Sequence, residues 1–469
     1  MNDIPKPTLV CVLLLAAALI GAAACGSSDD GPTTSATAAP PPTSTRSAGP
    51  TPLPGPGVTS TEIRLGMTND LAGAGDTPYA AVSLAMQAYF TSINEEGEGV
   101  CGRDIKLLVE DDSYAPHLAL AKTKALVEDR EVLAMLGALS TQAHVSVAHY
   151  LNDPNNDGDT EDGVPDLFVS TGWSAWGDAD AYPWTIGYIP GYWTDGAVLG
   201  AYVSENLPDQ KLGVLYRDDA FGHDYLAGIE ASLPGVDIEA KPFRPSLGNA
   251  GEMLEAMQDA EVEVLIIAGL PETTAEIIRH SAEIEYEPQF LVSYTSAPSQ
   301  LASLVGGGST ADELLAGFQV LDGAITTQFL LSSIEDEQDE AVIEHRRIME
   351  TFDGPGVSSL SIYGQSLAEL TVEALSRSCD DLTREGLLAA VESLDGVQTS
   401  LMLPGIEVQL GSSDHLAIEA MQPVMISGDA EVLPAGQVLA PDSGSPPPAP
   451  PTPTPAPTPS PTPSPTATQ

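Results

Sequence analysis

Ser140 and Thr141 stand where an apolar run at 132–136 breaks at Gly137 and passes through a short loop into a segment whose apolar positions are Ala143, Val147 and Leu151. The pattern is a strand, a tight loop and a helix. Ser140 or Thr141 is placed at the helix N-cap, so unpaired backbone N–H groups and small hydroxyls face the end of the strand. Such a corner can capture a carboxylate or another small anionic or polar group. Serine and threonine cap helices in every α/β protein, so the inference of a site rests on several such loops recurring in one chain.

A second chemistry is written at 153–162, DPNNDGDTED, which fits the opening of a calcium loop. Oxygen donors at Asp153, Asn155, Asp157 and Asp159, with Gly158 at the sharp turn, would wrap a hard cation such as Ca2+. Val164 occupies the position of the usual closing glutamate, which leaves Asp162 or Asp166 to complete the shell. The other reading is a solvated acidic turn. No further cofactor is expected. HExxH, GxSxG and P-loop patterns are missing, and Gly306-Gly307-Gly308-Ser309 lacks the lysine of a phosphate loop. His144, on the helix behind Thr141, reads as a surface or cap residue. With no convergent acid, base or nucleophile set, the chain is not expected to be an enzyme.

The elements that must position these loops alternate along the chain. Strand-like runs at 63–67, 105–110, 132–136, 167–170, 211–216, 236–241, 262–268 and 289–293 are separated by helix-like segments, as at 79–94, 117–129, 194–206 and 273–284. This alternation predicts right-handed βαβ crossovers and parallel sheets with helices on both faces, and the length calls for two such sheets. Ligands bind beyond the carboxyl ends of parallel strands, which makes the loops at 68–78, 139–142, 171–176, 217–223, 269–273 and 294–298 the candidates.

The chain has 469 residues, and 67 acidic against 17 basic residues give a formal net charge of −50. Nucleic acid and anionic membrane surfaces are thereby disfavoured as partners. Lys6, an apolar stretch at 9–24 and then Ala22-Ala23-Ala24-Cys25 resemble a bacterial lipoprotein signal with its lipobox, although Ala22 stands where Leu is usual. Cleavage would remove 1–24 and leave a lipid on Cys25; a simple signal peptide or an uncleaved anchor is the other reading. Residues 25–57 read as a flexible tether and 434–469 as a Pro-rich disordered tail. Once Cys11 and Cys25 are set aside, Cys101 and Cys379 remain. In an oxidising compartment an even remainder predicts that they pair, the alternative being two separate buried thiols.

The segments IRLGMTNDLAGAGD, CGRDIKLLVEDDSYAPHLALAKTKALVED, LGALSTQA and KLGVLYRDDAFGHDYLAGIE together resemble a type I periplasmic solute-binding protein of the leucine/isoleucine/valine-binding family, the receptor component of ATP-driven importers. The resemblance covers about 60–433. It implies two Rossmann-like lobes joined by a three-crossover hinge: 58–186 plus 324–404 as lobe one, and 187–323 plus 405–433 as lobe two. It implies a ligand carboxylate held by the loops that match Ser140-Thr141 and Thr171-Gly172, with Phe221 and Tyr363 as lining aromatics. The acidic residue that meets an amino-acid ammonium in the family falls at Tyr294, where no carboxylate stands; Asp219 or Asp70 could substitute, or serve as turn and cap residues. Trp173, Trp176, Trp193, Tyr188 and Tyr192 either shape the pocket or pack the lobe interface.

The resemblance thus implies an extracytoplasmic, lipid-anchored, monomeric receptor. It would capture a small carboxylated molecule, amino acid-like or an aromatic or aliphatic acid, for the membrane permease of an ABC importer. The alternatives are a ligand sensor for a signalling partner, and a cell-surface hydrolase or adhesive lipoprotein.

Overall fold

The computed structural model describes residues 54–71, 79–244, 248–334 and 336–441. The expected signal peptide, Cys25 and most of the tether and tail lie outside these residues. Five strands, β1 (Glu62–Asn69), β2 (Asp104–Asp111), β3 (Ala134–Leu136), β4 (Asp166–Val169) and β5 (Thr185–Gly187), form a parallel sheet in the order β2-β1-β3-β4-β5. Between them run α1 (Ala80–Glu96), α2 (Pro116–Lys124), continued by a π-helical turn at Ala125–Asp129, and α3 (Thr141–Asn152).

The chain then crosses into a second lobe through α4 (Tyr192–Asn206). There β6 (Leu212–Arg217), β7 (Ile238–Phe243), β8 (Val264–Ala268), β9 (Gln289–Val292) and β10 (Ile325–Gln328) alternate with α5 (Ala220–Ser232), α6 (Ala250–Asp259), α7 (Pro271–Glu283), α8 (Pro298–Gly306) and α9 (Ala311–Val320). It returns to the first lobe as α10 (Glu340–Thr351), α11 (Ser359–Arg377), α12 (Arg384–Glu392) and a short antiparallel pair, β11 (Asp395–Val397) with β12 (Val408–Gln409). A third crossing delivers β13 (Gln422–Ser427) and β14 (Glu431–Pro434) to the second sheet, whose order is β14-β13-β10-β9-β8-β6-β7.

Central strands carry unbroken apolar runs because helices cover both faces. Val264, Leu265, Ile266 and Ile267 of β8 are all fully buried. In the first lobe Met135 of β3 packs with Leu126, Ala143, Val147 and Leu151 on one side, whereas Leu65, Met67 and Leu136 join Val82, Met86, Leu367 and Leu370 on the other. The face completed by α11 is therefore built from both ends of the chain. A disulfide between Cys101 and Cys379, 278 residues apart, joins the turn before β2 to the end of α11.

Several boundaries differ from expectation. β10, assigned to lobe one by the expected boundary at 324, pairs with β9 through Ile325–Leu291 and with β13 through Ile325–Met425, so the crossing lies after Gln328. The second sheet is mixed rather than parallel, because β13 and β14 join it antiparallel. The end of the expected tether is anchored: Gly55 N–H donates to Leu382 O at 2.8 Å, and Arg64 N–H to Gly57 O at 3.0 Å. The tail begins later than 434, since Leu439 and Met421 exchange backbone hydrogen bonds of 2.8 and 2.9 Å. Among the described residues no helix is long and apolar enough to cross a membrane.

Candidate functional site

The carboxyl ends of the strands of both sheets border one cavity of about 210 Å3. The first lobe contributes the N-terminus of α3 with Ser140 and Thr141, Ser170 at the end of β4, Tyr114, and Tyr363 on α11. The second lobe contributes Arg217, Asp219 and Phe221 from the β6–α5 turn and Tyr294 from the β9–α8 loop. Tyr192, at the start of α4, lines it between the two.

Ser140 is the N-cap of α3: its side chain accepts from Ala143 N–H at 3.3 Å. Its backbone sits at φ +79°, a region that residues with side chains seldom occupy, which turns the following amides and hydroxyls toward the cavity end of β3. Thr141 Oγ1 lies 2.6 Å from Thr171 Oγ1 and 3.1 Å from the Tyr192 hydroxyl. Tyr363 donates to Ser170 Oγ, which donates to Gly137 O at 3.1 Å. The result is a patch of hydroxyls and helix-terminal amides at one pole of the cavity. Burial drives the Tyr192 and Tyr363 phenols above their usual range, so they are neutral hydrogen-bonding groups. Beneath the patch His144 is buried, not exposed as expected: Nε2 lies 2.7 Å from Asp166 Oδ2, and its ring stands edge-on to Trp176. That pair ties α3 to β4 and so holds the seat.

Ser140, Thr141, Phe221, Tyr294 and Tyr363 all border the cavity. Thr171 and Gly172 do not; they form the layer behind it. Thr171 is 1 % exposed and touches the threonine–tyrosine cluster from the rear. Gly172 is needed for close approach, because a Cβ there would fall 2.5 Å from Pro190 O and 2.9 Å from the Tyr294 hydroxyl. That hydroxyl donates to Pro190 O at 2.7 Å, stitching the second lobe to the first crossing.

The cavity is also lined by apolar side chains, Leu270, Phe329, Leu330, Leu360 and Phe221, whose ring meets Tyr192 edge-on at 4.5 Å, and by the neutral polar side chains of Gln300, Thr327, Gln328 and Ser359. Among the described lining residues Arg217 and Asp219 carry the formal charges, joined at 2.8 Å between Nη2 and Oδ2. Asp70 is buried at the end of β1 and is not one of the described lining residues. A carboxylate that sequence reasoning missed, Asp195, lies one layer behind Tyr294. It accepts from the Tyr294 N–H at 3.2 Å, from the Tyr225 hydroxyl at 2.7 Å and from Thr327, and burial pushes it up to about 6. Its signal was a single acidic residue inside the apolar segment of α4. Trp173 and Trp176 pack the first-lobe core, and Tyr188 is fully buried between the lobes' aromatics.

The acidic loop closes on itself. Asp153 accepts from Asp157 and Gly158 N–H, Asn155 from Asp157 N–H, Asp157 from Asp159 N–H and Asp159 from Glu161 N–H, while Asn155 donates to Asp162. Among the described residues no group of three or more His, Cys, Asp or Glu side chains is arranged to hold a metal ion. In this arrangement these oxygens accept from the turn's own N–H groups.

No curated protein matches the sequence. Among solved structures, a possible leucine/isoleucine/valine-binding protein from Rhodopirellula baltica SH 1 is 21% identical, covers 81% of this chain and 97% of that one, and superposes with a TM-score of 0.65. A fatty acid ABC transporter substrate-binding protein from Thermomonospora curvata is 20% identical over 83% of this chain and 95% of its own, with a TM-score of 0.67. A branched chain amino acid ABC transporter from Thermus thermophilus with bound valine is 15% identical over 82% and 97%, with a TM-score of 0.69. These likenesses carry the two-lobed fold. The periplasmic binding protein family model matches residues 62–431, which takes in every wall of the cavity and all of both sheets except most of β14, and the chain belongs to that family.

Proposed function

We propose that this chain is the extracytoplasmic solute receptor of an ABC-type importer and that its ligand is a small carboxylic acid with an apolar body. The carrying observation is the chemistry of the lining. Hydroxyls, the α3 N-terminus and apolar side chains border one cavity, and the one formally anionic side chain among the described lining residues, Asp219, is paired to Arg217. A carboxylate gains charge-assisted hydrogen bonds at the hydroxyls and the helix terminus. An ammonium group would find no unengaged carboxylate, and burying it unpaired is costly. Among the structural neighbours, one is named for fatty acids and one holds valine; the chemistry of this cavity favours the acid without the amine. Ligand contacts made by both lobes favour the closed arrangement, which is the state a membrane permease would read.

A thermal-shift panel of isocaproate, octanoate, phenylacetate, L-leucine, choline and glucose tests this reading. Stabilisation is expected from the acids, with isocaproate, which is leucine without its amino group, ahead of leucine. Stabilisation by choline or glucose alone overturns it. Thr141→Val, which removes one hydroxyl at nearly constant volume, is expected to weaken acid binding roughly 10- to 150-fold. Calorimetry showing unchanged affinity would remove Thr141 from the seat. Lipidation of Cys25 is the remaining part of the proposal, and it would hold the receptor at the membrane next to its permease. Intact mass of the mature protein is expected to show a diacylated Cys25 at its N-terminus; an unmodified thiol ends that part.

A further inference from the structure

We propose that Arg217 is the cation the second lobe brings to the ligand's carboxylate, so that the acid seated on α3 is clamped between lobes and its charge drives closure. This inference rests on the solute-receptor reading above and names the group that selects an acid over its neutral analogues.

Arg217 is the last residue of β6, and its backbone is fixed by the turn that follows. A Cβ on Gly222 would lie 2.0 Å from Arg217 O and 2.7 Å from Arg217 N, so the first turn of α5 packs directly on it. Its side chain lines the cavity and is 18% exposed. Asp219 holds it at 2.8 Å through Oδ2, while Oδ1 of the same carboxylate accepts from Gly222 N–H at 3.3 Å as the N-cap of α5. Each oxygen of Asp219 therefore already has one partner.

The guanidinium is not committed to the same degree. It presents five N–H donors in a planar fork. One nitrogen is engaged with Asp219, and Nε is buried without a partner. The pair thus has more donors than acceptor sites to spare, which suits an anion better than a cation. Asp219 meanwhile keeps the fork oriented and spares the free protein an uncompensated charge.

Arg217 shares its cavity with the hydroxyl seat, since Tyr114, Ser140 and Thr141 of the first lobe line the same space. Burial pushes the Tyr114 phenol up to about 12, and the Arg217 charge acts in the opposite direction. A chain of net charge −50 repels anions at long range. A local cation inside the cleft offsets that repulsion at the point of capture, and an arginine fork can grip a carboxylate through two hydrogen bonds.

Calorimetry on the full chain with isocaproate and its methyl ester tests the assignment in the wild type, Arg217→Gln and Arg217→Lys. Arg217→Gln is expected to weaken isocaproate binding roughly 10- to 100-fold while leaving the ester within about 3-fold, with Arg217→Lys between. Raising the salt concentration is expected to weaken isocaproate binding to the wild type and to have little effect on Arg217→Gln. An unchanged acid-to-ester ratio in Arg217→Gln overturns the assignment, as does a salt-independent wild-type affinity, which needs no variant to fold. If the wild type binds isocaproate and Thr141→Val weakens it but Arg217→Gln does not, this inference fails alone. If the wild type binds none of the acids, the solute-receptor reading fails with it.

Discussion

Acidification from about pH 7.5 to about pH 5 is expected to stabilise the fold by about 1–3 kcal/mol, the reverse of the usual acid response. Two carboxyls carry the effect. Asp195 sits in the second lobe behind Tyr294, and Asp224 on α5 accepts hydrogen bonds across the lobes from Ser174 Oγ and, at 2.9 Å, from Ser174 N–H. Burial pushes each up to about 6 despite these donors. A carboxyl whose folded value lies above its unfolded one makes the native state bind more protons. Stability then falls as pH rises between the two values, from about 4 to about 6, and returns as pH falls. Each group contributes about 1–2 kcal/mol over the stated range, and neither needs a discount for solvent screening because both are buried.

One group works in the opposite sense. His345 is buried between Gln365 and Ser361, and burial lowers its pKa, so acidification protonates it more readily in the unfolded chain and offsets part of the gain. Carboxylates held low by a surface partner, such as Asp218 beside Arg244, lose their contribution only as pH drops further, below this range. Urea unfolding at the two pH values measures the balance. In Asp195→Asn/Asp224→Asn the trend is expected to shrink, since Asp112 and His280, both raised, are then set against His345. Stability that rises with pH in the wild type would contradict the account.

Loss of the Cys101–Cys379 disulfide is expected to cost about 2–5 kcal/mol. The crosslink closes a loop of 278 residues in sequence, and long loops restrict the unfolded chain most in the chain-entropy view. It also fastens α11 beside the first sheet, where Leu367, Leu370 and Ala374 pack with Val82 and Met86. Urea unfolding of Cys101→Ser/Cys379→Ser against the oxidised wild type gives the magnitude. Hydrogen exchange gives the location: amides of α11 and α12 are expected to lose protection before those of β6 and β8. A difference below about 0.5 kcal/mol would mean that the packing of α11 alone sets the arrangement.

The wall-to-wall apolar runs were legible in the sequence because a strand buried on both faces has nowhere to place a polar side chain. VLIIA at β8 reads as a central strand without any partner being known. The corner at Ser140 was legible for the same local reason, since a cap and an apolar helical stripe are properties of neighbouring residues. β10 was not. Its sequence, ITTQ, buries two threonines, and its place is decided by β9 and by β13, which arrives about a hundred residues later. Pairing at that range leaves no trace in a local pattern, so the lobe boundary fell one strand early.

Within the site, hydroxyl-bearing loops could be recognised but their depth could not. Thr141 and Thr171 look alike in sequence, yet one lines the cavity and the other supports it from behind. Arg217, in RDDAFGH, has the appearance of a solvated turn with its charge answered by adjacent aspartates. Only the three-dimensional arrangement shows that Asp219 both caps α5 and pairs with Arg217, and that Arg217 lines the cleft. The acidic loop shows the converse: alternating oxygens suit a cation, and they suit the loop's own N–H groups equally well.

The first lobe is opened by β1 near residue 62 and finished by α11 ending at Arg377. A chain made from its N-terminus at about 5–20 residues per second therefore exposes one apolar face of its first sheet for roughly 15–60 seconds before the covering helix exists. During that interval the second lobe's strands β6 to β10 are all synthesised and free to assemble. The part begun first is completed last, and the waiting surface is a natural client for a holding chaperone.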